Sequence, residues 1–190
     1  RPFLMEEDEN RTIDNQSFNA RVNQMTHAFL DVGVAKGDRV ATMMVNCCEF
    51  LEVLFACSKI GAITVPINYR LAAPELTYIV SDSAPRILIY SSDHSEKVKQ
   101  IKAARSKVEH YFKHRGDKLV DDPAIGALAS RFPTEEPIPI EQIVLKDPFL
   151  IIYTSGTTGD PKGAVLSHEN ILFGAVHSLI GYGINETYKS

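Results

Sequence analysis

The sequence predicts an α/β fold, a layered and mostly parallel sheet flanked by helices. Two observations carry that prediction. Short apolar runs bounded by turn residues recur along the chain, each of the length of one strand. Between them lie segments whose apolar residues repeat at spacings of three and four, the mark of a helix with one buried face. Strands alternating with helices in this way build a parallel sheet covered on its faces.

The first helix is predicted from Asn15 to Val32, where Phe18, Val22, Met25 and Phe29 share one face. Asp14 is placed to cap its start and Gly33 to end it. Val40 to Val45 reads as a buried strand. A second helix follows from Glu49 to Lys59, with Phe50, Val53, Leu54 and Cys57 inward and Gly61 as its stop. Ile63 to Ile67 is a short strand whose Pro66 belongs at an edge or a strand end, because proline donates no ladder hydrogen bond.

Pro74 fits the first turn of a third helix, where its missing N–H costs nothing, and Leu76, Ile79 and Val80 face inward. Arg86 to Tyr90 is another strand. Ser95 to Arg105 is a charged helix with Val98 and Ile101 on its inner side. Its lysines Lys97, Lys99 and Lys102 read as a solvated face. Val108 to Phe112 is a short strand and Asp121 to Ser130 a helix with Ile125 and Leu128 inward. Pro133, Pro137 and Pro139 mark an extended loop.

The composition excludes several function classes. The net charge of -4 over 190 residues gives no basic stripe for nucleic acid. No run of 18 apolar residues occurs, so no membrane span is expected, and no signal peptide is visible. Cys47, Cys48 and Cys57 are odd in number and form no CxxC pair, so they read as reduced structural thiols with no metal site. These features make a cytoplasmic location the expectation. The abrupt ends, Arg1-Pro2-Phe3 and Tyr188-Lys189-Ser190, read as those of a piece cut from a longer protein.

Chemistry concentrates near the end. Phe149 to Tyr153 is a hydrophobic strand, Ala164 to Leu166 a return strand, and Ser167 a cap for a final helix. The face of that helix is Ile171, Leu172, Ala175, Val176, Leu179 and Ile180. Between the strands, Thr154 to Gly163 holds three glycines, four hydroxyl side chains and one lysine. Glycine lets the backbone approach a ligand without a Cβ in the way, and consecutive N–H groups then converge on phosphate oxygens. Thr154, Ser155, Thr157 and Thr158 add donors, Lys162 a mobile positive charge, and Gly156, Gly159 and Gly163 shape. Composition alone leaves a plain Ser/Thr/Gly turn open. The spacing fits neither a Walker A loop nor a dinucleotide fingerprint.

Tyr153 to Gly163 closely resembles the phosphate-binding signature YTSGTTGxPKG of the AMP-forming ligase superfamily, and Val165, Ser167, His168 and Asn170 continue it in register. The resemblance extends over essentially the whole chain. Pro66-Ile67-Asn68-Tyr69-Arg70-Leu71 with Glu75-Leu76 is most similar to the acyl-CoA synthetase branch. Arg11-Thr12-Ile13-Asp14 departs from the common pattern, in which an aromatic residue often follows the arginine and threonine.

The resemblance implies that residues 1–190 are a partial N-terminal AMP-binding domain, ending just after the phosphate loop and its following helix and lacking the C-terminal domain. It implies ATP, Mg2+ and CoA as cofactors, and a carboxylic acid, a fatty acid above all, as substrate. The carboxylate attacks the α-phosphorus of Mg-ATP to give an acyl-adenylate and pyrophosphate. The CoA thiol then attacks the acyl carbonyl and AMP leaves. Such a step demands alignment and charge neutralisation.

Thr154, Ser155, Gly156, Thr157, Thr158, Gly159, Lys162 and Gly163 are the implied ATP-binding residues, with Lys162 and Thr154 acting in the reaction. No magnesium ligand is assigned within the chain, and 1–190 alone is expected not to turn over. An acyl substrate would justify transient membrane contact. The alternatives are an aryl-CoA ligase, an adenylation domain serving a carrier protein, and a non-catalytic phosphate-binding or scaffold domain. His168 reads either as a phosphate-orienting group or as a local helix-start contact, His177 as core, and His27, His94, His110 and His114 as lacking ligand spacing. Asp121 and Asp122 read as surface.

Overall fold

The computed structural model describes residues 2–6, 10–114, 121–154 and 160–182. A short antiparallel hairpin, β1 (Pro2–Glu6) and β2 (Arg11–Asp14), leads directly into helix α1 (Asn15–Asp31). Then strands and helices alternate: β3 (Arg39–Met43), α2 (Cys48–Ile60), β4 (Ile63–Pro66), α3 (Ala73–Ser83), β5 (Ile87–Ser91), α4 (Ser95–Ala103), β6 (His110–His114) and α5 (Ile125–Ala129). A hairpin of β7 (Pro148–Thr154) and β8 (Lys162–Ser167) is followed by α6 (His168–Gly181).

The main sheet has six strands in the order β6-β5-β3-β4-β7-β8. All neighbours pair in parallel except β8, which runs antiparallel to β7. Pro66 is the last residue of β4, so the internal strand tolerates it. Successive side chains of a strand point to opposite faces, and β5 shows this plainly. Ile87 and Ile89 enter one core with α1, α2 and α5, while Leu88 and Tyr90 enter the other with α3 and α4. A sheet buried on both faces is why its strands read as unbroken apolar runs.

The predicted caps hold. Asp14 Oδ1 accepts the Ser17 N–H at 2.7 Å, and Gly61 takes the left-handed conformation (φ 71°) that ends α2.

Other expectations are corrected. The helix expected over 121–130 is confined to Ile125–Ala129. Upstream of it the Pro123 carbonyl accepts the Lys113 N–H and Ala124 forms a bridge to Lys113, so residues 123 and 124 are tied to β6 and lie outside the helix. Asp122 is consequently not plain surface: it accepts hydrogen bonds from the Tyr90 hydroxyl and from Lys102 Nζ. Lys102 is therefore paired, not merely solvated. Lys97 donates to the Tyr69 and Leu71 carbonyls at 2.7 and 2.9 Å, and only Lys99, bonded to Glu96 on the surface, fits the solvated reading. β6 begins at His110, two residues after the expected start, because its pairing sets Ile87 opposite His110.

The apolar face of α6 is not buried. Leu172, Leu179 and Ile180 are exposed, and so is His177, which is not a core residue. A helical period shows that a face is apolar, not what covers it. No described helix is long and apolar enough to cross a membrane.

Candidate active site

The carboxyl ends of β3, β4, β5, β6 and β7 lie along one edge of the sheet. From β3 the chain runs to α2 on one face, and from β4 to α3 on the other. Open sheets hold their ligands at such a point, where the crossovers diverge. Here a cleft of about 350 Å³ opens, lined by Thr42 of β3 and Asn46 beyond it, by Pro66 at the end of β4 with Asn68 and Tyr69 beyond it, and by Tyr153 of β7. Thr42 Oγ1 is buried and has no hydrogen-bond partner among the described residues.

The wall at Tyr69 is held on several sides. Its ring stacks on His94 with centroids 4.8 Å apart, the Arg70 guanidinium lies 5.5 Å from its centroid, and Lys97 bonds its carbonyl. Burial, reinforced by Lys97, depresses the His94 pKa below its ordinary value, which favours the neutral imidazole in that stack.

The β7–β8 hairpin brings the two ends of the glycine-rich loop together. Thr154, the last residue of β7, is the cross-strand partner of Lys162, the first of β8. Directly opposed residues share one face of the sheet, so the threonine and lysine stand side by side, both exposed. Ser155, Gly156, Thr157, Thr158 and Gly159 lie outside the described residues.

One pair further in, Gly163 opposes Tyr153. A Cβ on Gly163 would stand 2.9 Å from Ile151 Cγ2 and 3.2 Å from the Tyr153 ring. Glycine here makes room for the tyrosine. The Tyr153 hydroxyl donates to the Asp82 carboxylate of α3. Burial and that carboxylate raise the phenol pKa above its ordinary value, so it remains a donor. The substitution Gly163→Ala is accordingly expected to destabilise the chain by about 1–3 kcal/mol through overpacking. Urea denaturation checks it, and an unchanged midpoint would show that the ring can move freely.

His168 is not part of this edge. Ser167 pairs with Pro148 at the opposite end of the hairpin, roughly 20 Å of strand away from Lys162. The ring packs edge-on against Phe149 with centroids 5.0 Å apart, and burial depresses its pKa. The ring packs locally, but its Nε2 has no hydrogen-bond partner among the described residues, so the local hydrogen bond expected of it is not seen at that atom. Sequence reasoning gave no site role to Thr42, Asn46 or Asp82. The only signal near them was the Pro66–Leu71 segment, which contributes the Pro66, Asn68 and Tyr69 wall.

Comparison with known proteins decides the family. The family model described as AMP-binding enzyme matches residues 1–188. The chain belongs to the AMP-binding enzyme family. Among curated relatives, a feruloyl-CoA synthase from Amycolatopsis sp is 38% identical over 160 residues, covering 84% of this chain and 29% of that protein. The long-chain-fatty-acid–CoA ligase FadD13 of Mycobacterium tuberculosis is 36% identical over 153 residues, covering 80% and 29%. The solved anthranilate CoA ligase AuaEII in complex with anthranoyl-AMP superposes with a TM-score of 0.84 at 26% identity, covering 93% of this chain and 33% of that one. The chain thus spans about three-tenths of the length of these AMP-binding relatives, and the α/β layering is that of the solved enzyme.

Proposed function

We propose that the protein containing this chain activates a carboxylic acid with ATP. The product is an acyl-adenylate plus pyrophosphate, and CoA then takes the acyl group. Residues 1–190 supply the phosphate-binding edge of a partial N-terminal AMP-binding domain, and the rest of the site lies elsewhere in the protein. The observation that carries this reading is the opposition of Thr154 and Lys162 beside a cleft at the diverging crossovers. A lysine on that edge neutralises phosphate charge as pyrophosphate separates, and the threonine hydroxyl donates to a phosphate oxygen. Ser155, Thr157 and Thr158 belong to the same loop and are proposed to add donors, with Gly156 and Gly159 allowing close backbone approach.

ATP fits what is present: a cation and a hydroxyl on an exposed edge, joined by a glycine-rich stretch of sequence. Mg2+ accompanies ATP, and no residue of this chain is assigned to it. A fatty acid is the proposed substrate, in keeping with the Pro66–Leu71 segment. An aromatic acid is the second reading, favoured by the likeness to a feruloyl-CoA synthase.

Carboxylate-dependent ATP–pyrophosphate exchange by the complete protein tests the proposal. A panel from acetate through long-chain fatty acids to benzoate and ferulate is offered, followed by CoA. Exchange with one class and then thioester formation supports it. Folded protein that binds ATP yet exchanges with no acid overturns it, and adenylation without transfer to CoA redirects it to a carrier-protein acceptor.

A further inference from the structure

A second cluster of reactive side chains lies outside the cleft. Cys47 ends the loop after β3, Glu49 is in the first turn of α2, and His114 ends β6. Crossovers of very different lengths bring them together: one donor atom from each lies within 4.8 Å of the others. Cys47 Sγ is 3.5 Å from His114 Nε2. A tetrahedral zinc with bonds of about 2.3 Å to sulfur and about 2.0–2.1 Å to nitrogen sets those ligands about 3.6 Å apart. The observed spacing therefore matches one edge of such a tetrahedron.

Surroundings and access agree with a cation. His114 is 4% exposed. Cys47 lines a 550 Å³ cavity between β1 and α2, while Glu49 and His114 line a second one of 350 Å³, so an ion has a way in. Ion pairs tie Glu6, Glu49 and Glu52 to Arg11 and Arg21. Lys113 lines the second cavity as well, so three carboxylates face three cations, and the cysteine thiolate formed on binding brings the negative charge that the metal meets. Glu49 Oε1 already accepts from Arg11 at 2.8 Å, so the carboxylate is held in place beside the other two donors.

We propose that Cys47, His114 and Glu49 form a binding site for a borderline-soft divalent cation of the Zn2+ class. Three protein ligands and one water complete the tetrahedron. On binding, the Cys47 S–H bond breaks, its electron pair forms the metal–sulfur bond and the proton passes to solvent. The neighbouring Asn46 lines both the cavity at Cys47 and the cleft of the candidate active site. The ion thereby pins the β3–α2 loop that forms one wall of that cleft.

The test uses the purified protein, stripped of metal and titrated with Co2+, whose bond to a thiolate gives a charge-transfer absorption. One equivalent is expected to produce that band. The Cys47→Ser variant loses it, Cys48→Ser keeps it, and His114→Gln weakens Zn2+ competition by at least ~10-fold. In case the His114 variant fails to fold, alkylation of Cys47 in the unaltered protein, mapped by mass spectrometry, is expected to slow at least ~10-fold with saturating Zn2+, since metal occupies the nucleophilic sulfur. Absence of the band, a band that survives Cys47→Ser, or alkylation indifferent to Zn2+ overturns the site.

Discussion

Alanine in place of Lys162 is expected to lower carboxylate-dependent ATP–pyrophosphate exchange by about 10²–10³-fold, the usual cost of removing one group that stabilises developing charge. The residue is exposed at the start of β8, opposite Thr154. Its side chain is not part of either core, so the melting temperature is expected to stay unchanged. The loss then belongs to the chemical step and not to folding. Arginine at the same position keeps the charge but replaces a compact ammonium by a planar fork, and is expected to restore only part of the rate. Exchange within ~2-fold of the parent enzyme in the alanine variant would remove Lys162 from the reaction, since a group acting in the transition state must alter kcat/KM.

Phe29→Ala is expected to cost about 3–5 kcal/mol, a large part of the roughly 5–15 kcal/mol that separates a folded domain from its unfolded chain. Phe29 is fully buried in the core between α1 and the sheet, where close packing leaves little room for neighbours to fill the gap. For a chain of this size the loss corresponds to roughly 6–20 °C in Tm. Leu172→Ala provides the contrast. That side chain is 49% exposed on α6, so its loss is expected to stay within about 0.5 kcal/mol. Calorimetry on both variants decides the matter. Equal destabilisation would mean that the α6 face is covered in solution.

These two residues show where the sequence was readable. Phe29 and Leu172 both sit on helical apolar faces by spacing alone. The first is buried because α1 lies over the sheet beside α2, and those partners follow it closely in the chain. The second stays bare because, among the described residues, α6 contacts little beyond β7 and β8. Caps and stops were legible for the same local reason: Asp14 bonds three residues ahead, and Gly61 needs only its own left-handed backbone. Elements set by pairing with distant strands were less so. The start of β6 depends on its register with β5, and Pro123 and Ala124 are tied to Lys113 of β6 instead of joining α5.

The sequence by itself determined the α/β class, most helix limits, the strand–loop–strand bearing Thr154 and Lys162, and the family likeness of that loop. All of these rest on periods and turns within a few residues, whose physics is local. Tertiary structure alone decided that Thr42, Asn46, Asn68, Tyr69 and Tyr153 share a cleft, that His168 stands at the far end of the hairpin, and that Cys47 meets His114 across 67 residues of chain. Such meetings follow from strand order and crossover direction, which the burial of both sheet faces sets jointly for the whole chain.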